Sequence, residues 1–285
     1  MIKANKTVIP ASSTIHPSVE IRCNTFEIGE NCYIGPNCII MCNHFKAGDY
    51  FYMPGSAEIG RGGCNGPDSN VTIGKGVGIF EGCVLNPSES LSIGDYVGIG
   101  ADCLLWTHGA WLSVLDGFPA DFACVAIGNN VWLPARSVVL PGVSIGNDCV
   151  IGTGSVVTHD IPSGSLAMGS PCKVVKADYY PKNLTDERKL EIVQGLVHYW
   201  QYSLLPHKGI ASNCIFVAYT LDGNVVLNHR SSDQSTTINI NDKTISGYVD
   251  DIVEDLRDFL RRRGIKIYTG APFKSIPANY ETTWA

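Results

Sequence analysis

An aliphatic residue recurs at every sixth position over long stretches of this chain, and that period decides what it can fold into. From Ile127 the series runs Ile127, Leu133, Val139, Ile145, Ile151 and Val157 without an inserted residue. The same step links Ile93, Ile99 and Leu105, then Ile73, Ile79 and Leu85, and earlier Ile28, Ile34 and Ile40. A helix repeats at about 3.6 residues and a strand alternates at about two, so neither predicts this spacing. A fixed period of this kind marks a solenoid of stacked coils. Each unit supplies a short strand with its aliphatic residue inward and then turns a corner, and three units close one triangular coil. Asn31, Asn37, Asn130 and Asn147 fall where the corners need residues that tolerate positive φ.

Two places before each aliphatic residue, the crowded interior calls for a small side chain. Val71, Val77, Val97, Val125, Val131, Ser137, Val143 and Ser155 occupy that place, as do Cys32, Cys38, Cys83, Cys103 and Cys149. These five cysteines are therefore read as core filler. An odd total of 11 cysteines and an expected reducing compartment also argue against a disulfide framework. The register breaks over 41–58, over 62–70 (GGCNGPDSN) and, for longest, over 106–126 (WTHGAWLSVLDGFPADFACVA). Such interruptions are where a rigid scaffold carries chemistry.

After Pro181 the period ends. Residues 185–205 read as an amphipathic helix with Leu190, Val193, Val197, Trp200 and Leu204 on one face. Hairpins are predicted around Asp222-Gly223 and Asn241-Asp242. A second helix over 249–263 would turn Val249, Ile252, Val253, Leu256, Phe259 and Leu260 inward, and IKIY (265–268) would add a strand. Acids at the start of that helix, Arg261, Arg262 and Arg263 at its end, and Gly264 beyond suit the dipole and the C′ position. The expected organisation is a mainly β protein: a parallel β-helix over 1–180 and a small α/β domain over 181–285 with two helices and a short antiparallel sheet. A net charge of -6 and the absence of a basic stripe argue against a nucleic-acid partner. No apolar run is long enough for a signal peptide or a membrane span, so a cytoplasmic protein is expected.

The segment IGNNVWLPARSVVLPGVSIGNDCVIGTGSVVTHDIPSGSLAMGSPCKVVK, with WTHGAW upstream, resembles the hexapeptide-repeat acyltransferases, which fold as left-handed β-helices. Maltose, galactoside and xenobiotic acetyltransferases are of this kind. The resemblance spans roughly residues 15–178 and is most specific over 127–176. It implies a CoA-dependent acyltransferase with acyl-CoA as co-substrate, working as a homotrimer in which each active site lies between neighbouring β-helices. Residue by residue, His108 falls on the catalytic histidine of a protruding loop. Ala135 and Thr153 fall beside the pantetheine arm, Thr158 and His159 near the adenosine end, and Lys173 and Lys176 on basic positions facing the 3′-phosphate. His159 stands where the family carries a lysine, which replaces a fixed cation by a mostly neutral ring. The layout of the whole chain also resembles N-acyltransferases that act on nucleotide-linked 4-amino-4,6-dideoxyglucose in anthrose biosynthesis.

Acyl transfer from a thioester needs a base near neutral pKa for the acceptor's proton and donors for the oxyanion. His108 suits the first task. No nucleophile elbow accompanies it, so direct attack is expected rather than an acyl-enzyme. Glu81 and Asn86 precede His108 where the family binds its acceptor. Glu81 either orients the imidazole, holds an acceptor group, or is a solvated corner residue. Trp106, Trp111 and Asp116 either wall the acceptor pocket or belong to a loop packing on itself. A carbonic anhydrase class uses the same β-helix with three zinc-bound histidines, but His16, His44, His198, His207 and His229 have no ligand spacing around His108, so no metal is expected. The readings to separate are N-acylation of a nucleotide-linked amino sugar, O-acetylation of a saccharide or antibiotic hydroxyl, and a β-helix scaffold that only binds partners.

Overall fold

The computed structural model describes residues 1–220, 222–230 and 232–278, and its chain divides into two compact units, Met1–Lys182 and residues 183 onward. In the first unit, short parallel strands stack into three faces. One face carries Asn70–Ile73, Leu91–Ile93, Val125–Ile127 and Ser144–Ile145, paired in that order. A second carries Gly78–Ile79, Gly98–Ile99, Trp132–Leu133 and Val150–Ile151. A third carries Glu58–Gly60, Val84–Asn86, Leu104–Trp106, Val138–Val139 and Val156–Val157. Like residues therefore face like residues: Ile93 pairs with Ile127 and Ile127 with Ile145. This is the predicted β-solenoid, mostly β with parallel stacked strands.

Cys32, Cys38, Cys83, Cys103 and Cys149 are all buried in the small-residue place. Each finds an acceptor for its thiol. Cys83 Sγ donates to Gly100 O at 2.9 Å, Cys103 Sγ to Pro134 O at 3.0 Å and Cys149 Sγ to Pro162 O at 3.2 Å. A thiol thus fills the volume of a valine while satisfying a corner carbonyl. Burial raises the thiol pKa of Cys32, Cys38 and Cys149, which keeps these groups protonated.

The break over 41–58 has a specific cause. Ile2–Val8, Glu20–Ile28 and Ile39–Ala47 are long strands that run through one corner without turning. The start of Ile39–Ala47 pairs with Glu58–Gly60 on the third face, and its end pairs with Asn70–Ile73 on the first. The small-residue place is here taken by Phe26, Phe45 and Phe51, all fully buried, with Phe26 and Phe45 stacked at 5.3 Å. These coils are filled by rings where later ones are filled by valine and cysteine.

At the corner between the first and second faces, Gly29, Gly74, Gly94, Gly128 and Gly146 each follow an isoleucine, and the next coil leaves none of them room for a side chain. A Cβ on Gly94 would lie 2.4 Å from Asn129 Oδ1 and 2.7 Å from the Gly128 carbonyl carbon. That side-chain oxygen caps the backbone: Asp95 N donates to Asn129 Oδ1, and Asn129 N to Asn147 Oδ1, both at 2.7 Å. The ladder extends to Lys75 N on Asp95 Oδ1 below and to Asn147 N on Ser163 Oγ above. Asn31, Asn37 and Asn130 hold positive φ as expected. Asn147 does not; Asp148 takes the left-handed position, and Asn147 serves the capping ladder instead.

The second unit contains a helix, Asp186–Tyr199, that continues through a wider π turn, Trp200–Leu204. A four-stranded antiparallel meander follows: Ile215–Tyr219, Asn224–His229, Ser235–Asn239 and Thr244–Gly247. The last helix is Asp251–Arg261, capped by Asp250, whose Oδ1 accepts from Ile252 N and Val253 N. Val193, Val197, Trp200, Leu256 and Phe259 meet in its core. Three expectations shift. The π turn puts Leu205 rather than Leu204 fully inside. Val249 precedes the helix and is exposed. IKIY pairs with no strand among the described residues, because Arg257 Nη1 takes the Ile267 carbonyl at 3.1 Å. The basic triplet is engaged structurally: Arg261 and Arg262 pair with Asp258, and Arg263 lies 5.0 Å over the Phe259 ring.

A buried charge holds this unit together. Asp255 accepts from Lys208 Nζ, from Trp200 Nε1 at 2.9 Å and from Ile276 N at 2.7 Å. With Lys208 also buried, Lys208→Met is expected to cost about 3–5 kcal/mol, because it strands the Asp255 carboxylate. Urea unfolding followed at Trp200 checks this; an unchanged midpoint would show that the pair is dispensable.

Candidate functional site

Every large irregularity of the solenoid falls on one edge, between the third and first faces. The long N-terminal strands run through it. The insertion over 61–69 leaves it after Ile59, the turn over 87–90 after Asn86, and the long loop after Trp106. The other two edges keep their period. The interruptions therefore stack in space although they are far apart in sequence.

His108 stands in this stack. It begins a short strand, His108–Gly109, that pairs antiparallel with Asp121–Phe122 and closes the base of the loop. Beneath it, buried Thr107 locks the loop to the coil before. Thr107 Oγ1 donates to Asn86 O at 2.8 Å and accepts from Glu89 N at 2.9 Å, while Ala123 N donates to Thr107 O at 3.0 Å. The His108 ring stacks on Phe122 at 5.6 Å and meets Trp106 edge-on at 5.8 Å. Its Nδ1 lies 3.0 Å from Ser88 Oγ, and Ser88 Oγ donates to Asn86 Oδ1 at 3.2 Å. An imidazole held on three sides and half exposed on the fourth is suited to meet a substrate proton.

The candidate residues sort by edge. Asn86 and Trp106 share the His108 edge as register partners in adjacent coils, with Asn86 buried. Thr158 and His159 lie on the same edge in a later coil, the Thr158 hydroxyl 2.8 Å from His159 Nδ1. Glu81 lies on a different edge, between the second and third faces. Asp102 N donates there to Glu81 O, Arg136 N to Ala101 O and Gly154 N to Ala135 O, so Glu81, Ala135 and Thr153 belong to one column of turns. Asp116 is exposed in the turn Val114–Asp116 at the outer part of the long loop, whose Trp111 and Leu115 are 95% and 93% exposed. Trp111 therefore does not pack against its own loop. Lys173 and Lys176 lie on Cys172–Lys176, the closing hairpin strand opposite Leu166–Gly169. Lys176 Nζ sits 4.3 Å over the Tyr179 ring.

Ser88 and Phe122 belong to the surroundings of His108 and are not apparent from motif or period alone. Ser88 did leave a trace: Leu85 and Ile93 are eight residues apart where the period asks for six, which places a two-residue surplus beside the site. Phe122 left none, since only the folded loop returns it to His108.

Residues 125–159 match the bacterial transferase hexapeptide family (six repeats). A Staphylococcus aureus (strain COL) protein named for acetyltransferase activity is 53% identical over 66 residues, 22% of this chain and 33% of that protein. The galactoside O-acetyltransferase of Escherichia coli (strain K12) is 52% identical over 52 residues, 18% of this chain and 26% of the relative. The matched stretch thus spans a third or less of these curated relatives. Among solved structures, a galactoside acetyltransferase in complex with coenzyme A superimposes with a TM-score of 0.34 at 29% identity, covering 55% of this chain and 70% of that chain.

Proposed function

We propose that this chain is a CoA-dependent acyltransferase that moves an acyl group from acyl-CoA to the amino group of a nucleotide-linked amino sugar. The observation that carries the reading is the His108 imidazole, fixed by Ser88, Phe122 and Trp106 on the one interrupted edge of a transferase-type hexapeptide solenoid. His108 takes the proton of the acceptor as its nitrogen attacks the thioester carbonyl. The C–S bond breaks, and the CoA thiolate leaves with the proton from the imidazolium. Asn86 and Trp106 border the acceptor. Ala135 and Thr153 line the pantetheine arm, Thr158 and His159 its adenosine end, and Lys173 and Lys176 the 3′-phosphate. Glu81, in the same column of turns as Ala135 and Thr153, acts along that edge rather than on the imidazole, and Asp116 acts from the outer loop.

The exposed Trp111, Leu112, Leu115 and Phe118 support a homotrimer in which the long loop reaches a neighbouring copy. Eleven free cysteines suit work in the cytoplasm, and no helix among the described residues is long and apolar enough to cross a membrane. The relation to galactoside O-acetyltransferase favours a second reading, acetylation of a saccharide hydroxyl by the same base.

Thiol release from acetyl-CoA and 3-hydroxybutyryl-CoA, assayed against amino sugars and plain saccharides, free and nucleotide-linked, tests both. Release that depends on a nucleotide-linked amino sugar is the expected result. Release with saccharide hydroxyls alone would select O-acetylation. No release, together with no CoA binding, would leave a binding scaffold.

A further inference from the structure

The hydrogen bonds behind His108 bear on which of its ring nitrogens carries the proton. Two residues from separate interruptions of the solenoid, Cys64 and Ser88, converge there on Asn86, the last residue of a coil strand. Cys64, from the insertion after Ile59, places its Sγ 3.1 Å from Asn86 Oδ1. Ser88, from the turn after Asn86, places its Oγ 3.2 Å from the same oxygen and 3.0 Å from His108 Nδ1. Cys64 and Asn86 are buried, so water does not substitute freely for these partners.

The donors and acceptors then fall into one order. Burial pushes the Cys64 thiol up to about 11, so it stays protonated and acts as a donor. A thiol donor faces an amide oxygen rather than an amide NH₂, and this fixes the orientation of Asn86. The Asn86 oxygen only accepts, so the single Ser88 hydroxyl proton goes to it. Ser88 Oγ then has lone pairs left for His108, an arrangement that calls for the proton between them to sit on Nδ1. We infer that Ser88 is a positioning residue: with Asn86 and Cys64 it holds neutral His108 as the Nδ1–H tautomer and leaves Nε2 unprotonated to act as the base.

This inference rests on the base role given to His108, but it has a readout that needs no turnover. In the ¹⁵N–¹H long-range spectrum of the intact chain, recorded where the ring is neutral, His108 is expected to show the Nδ1–H pattern. Ser88→Ala is expected to shift it toward the Nε2–H form that dominates in free imidazole side chains. In the thiol-release assay the same variant is expected to lose roughly tenfold or more in kcat with KM changed by less than about twofold, because the base and not the acceptor's binding is disturbed. Ser88→Thr, which keeps the hydroxyl, is expected to restore both. A wild-type spectrum with Nε2–H, or a Ser88→Ala spectrum unchanged from wild type, would overturn the inference. If His108→Ala turned over normally while the wild-type tautomer proved to be Nδ1–H, the base role would fall and the positioning would stand. If Ser88→Ala lost solubility, the wild-type spectrum and Ser88→Thr would still decide the matter.

Discussion

His108→Ala is expected to lower kcat/KM by about 10²-fold or more, with the thermal midpoint nearly unchanged. Removing a general base costs on the order of 10²–10⁴ in rate, or at least about 2.7 kcal/mol of transition-state stabilisation. The stability effect is small because the ring lies half exposed at the base of a loop rather than in the aliphatic ladders. Thr107, not His108, ties that loop to the coil beneath it. The thiol-release assay and a melting curve on the same preparation give both readouts. Turnover close to wild type would remove His108 from the chemistry, and the acceptor amine would then pass its proton directly to the departing thiolate.

Gly94→Ala is expected to destabilise the first unit by about 2–4 kcal/mol, as strongly as a large core defect. The added methyl group would occupy the place of the Asn129 carboxamide oxygen and press on the Gly128 backbone, neither of which is the loose end of a long side chain. Displacing Asn129 also strips the cap from Asp95 N. Gly66→Ala is the matched control, since a Cβ there meets nothing within 4 Å, and it is expected to stay within about 0.5 kcal/mol. Equal urea midpoints for the two variants would contradict the close-approach account.

The solenoid was legible because its constraint is local and repeated. Each coil asks the same question of the same positions, and Ile93, Ile127 and Ile145 answer it alike. The capping ladder was half legible: Asn at a corner signals a turn, but Asn147 and Asp148 differ in role by one position, which only backbone geometry distinguishes. Phe26, Phe45 and Phe51 disguised the N-terminal coils, because a bulky ring does not look like the small residue whose place it takes. At the site, His108 stood out through its motif, whereas Glu81 was read only as lying in the coil before it and belongs to another column of turns. Which edge a residue occupies depends on how many residues were inserted before it, and a motif does not record that.

The 18-residue step that pairs Ile127 with Ile145 has a consequence for any change in chain length. Position around the solenoid behaves as a phase. An insertion of six residues in the regular coil between Ser88 and His108 would advance everything beyond it by one face and carry His108 to an edge where neither Asn86 nor Ser88 waits for it. An insertion of a complete coil would restore the phase and merely lengthen the column. On the interrupted edge the rule is suspended, because extra residues there bulge outward and the next strand resumes in step. Length variation in this architecture is therefore free along one line and quantised everywhere else, and His108 sits on the free line.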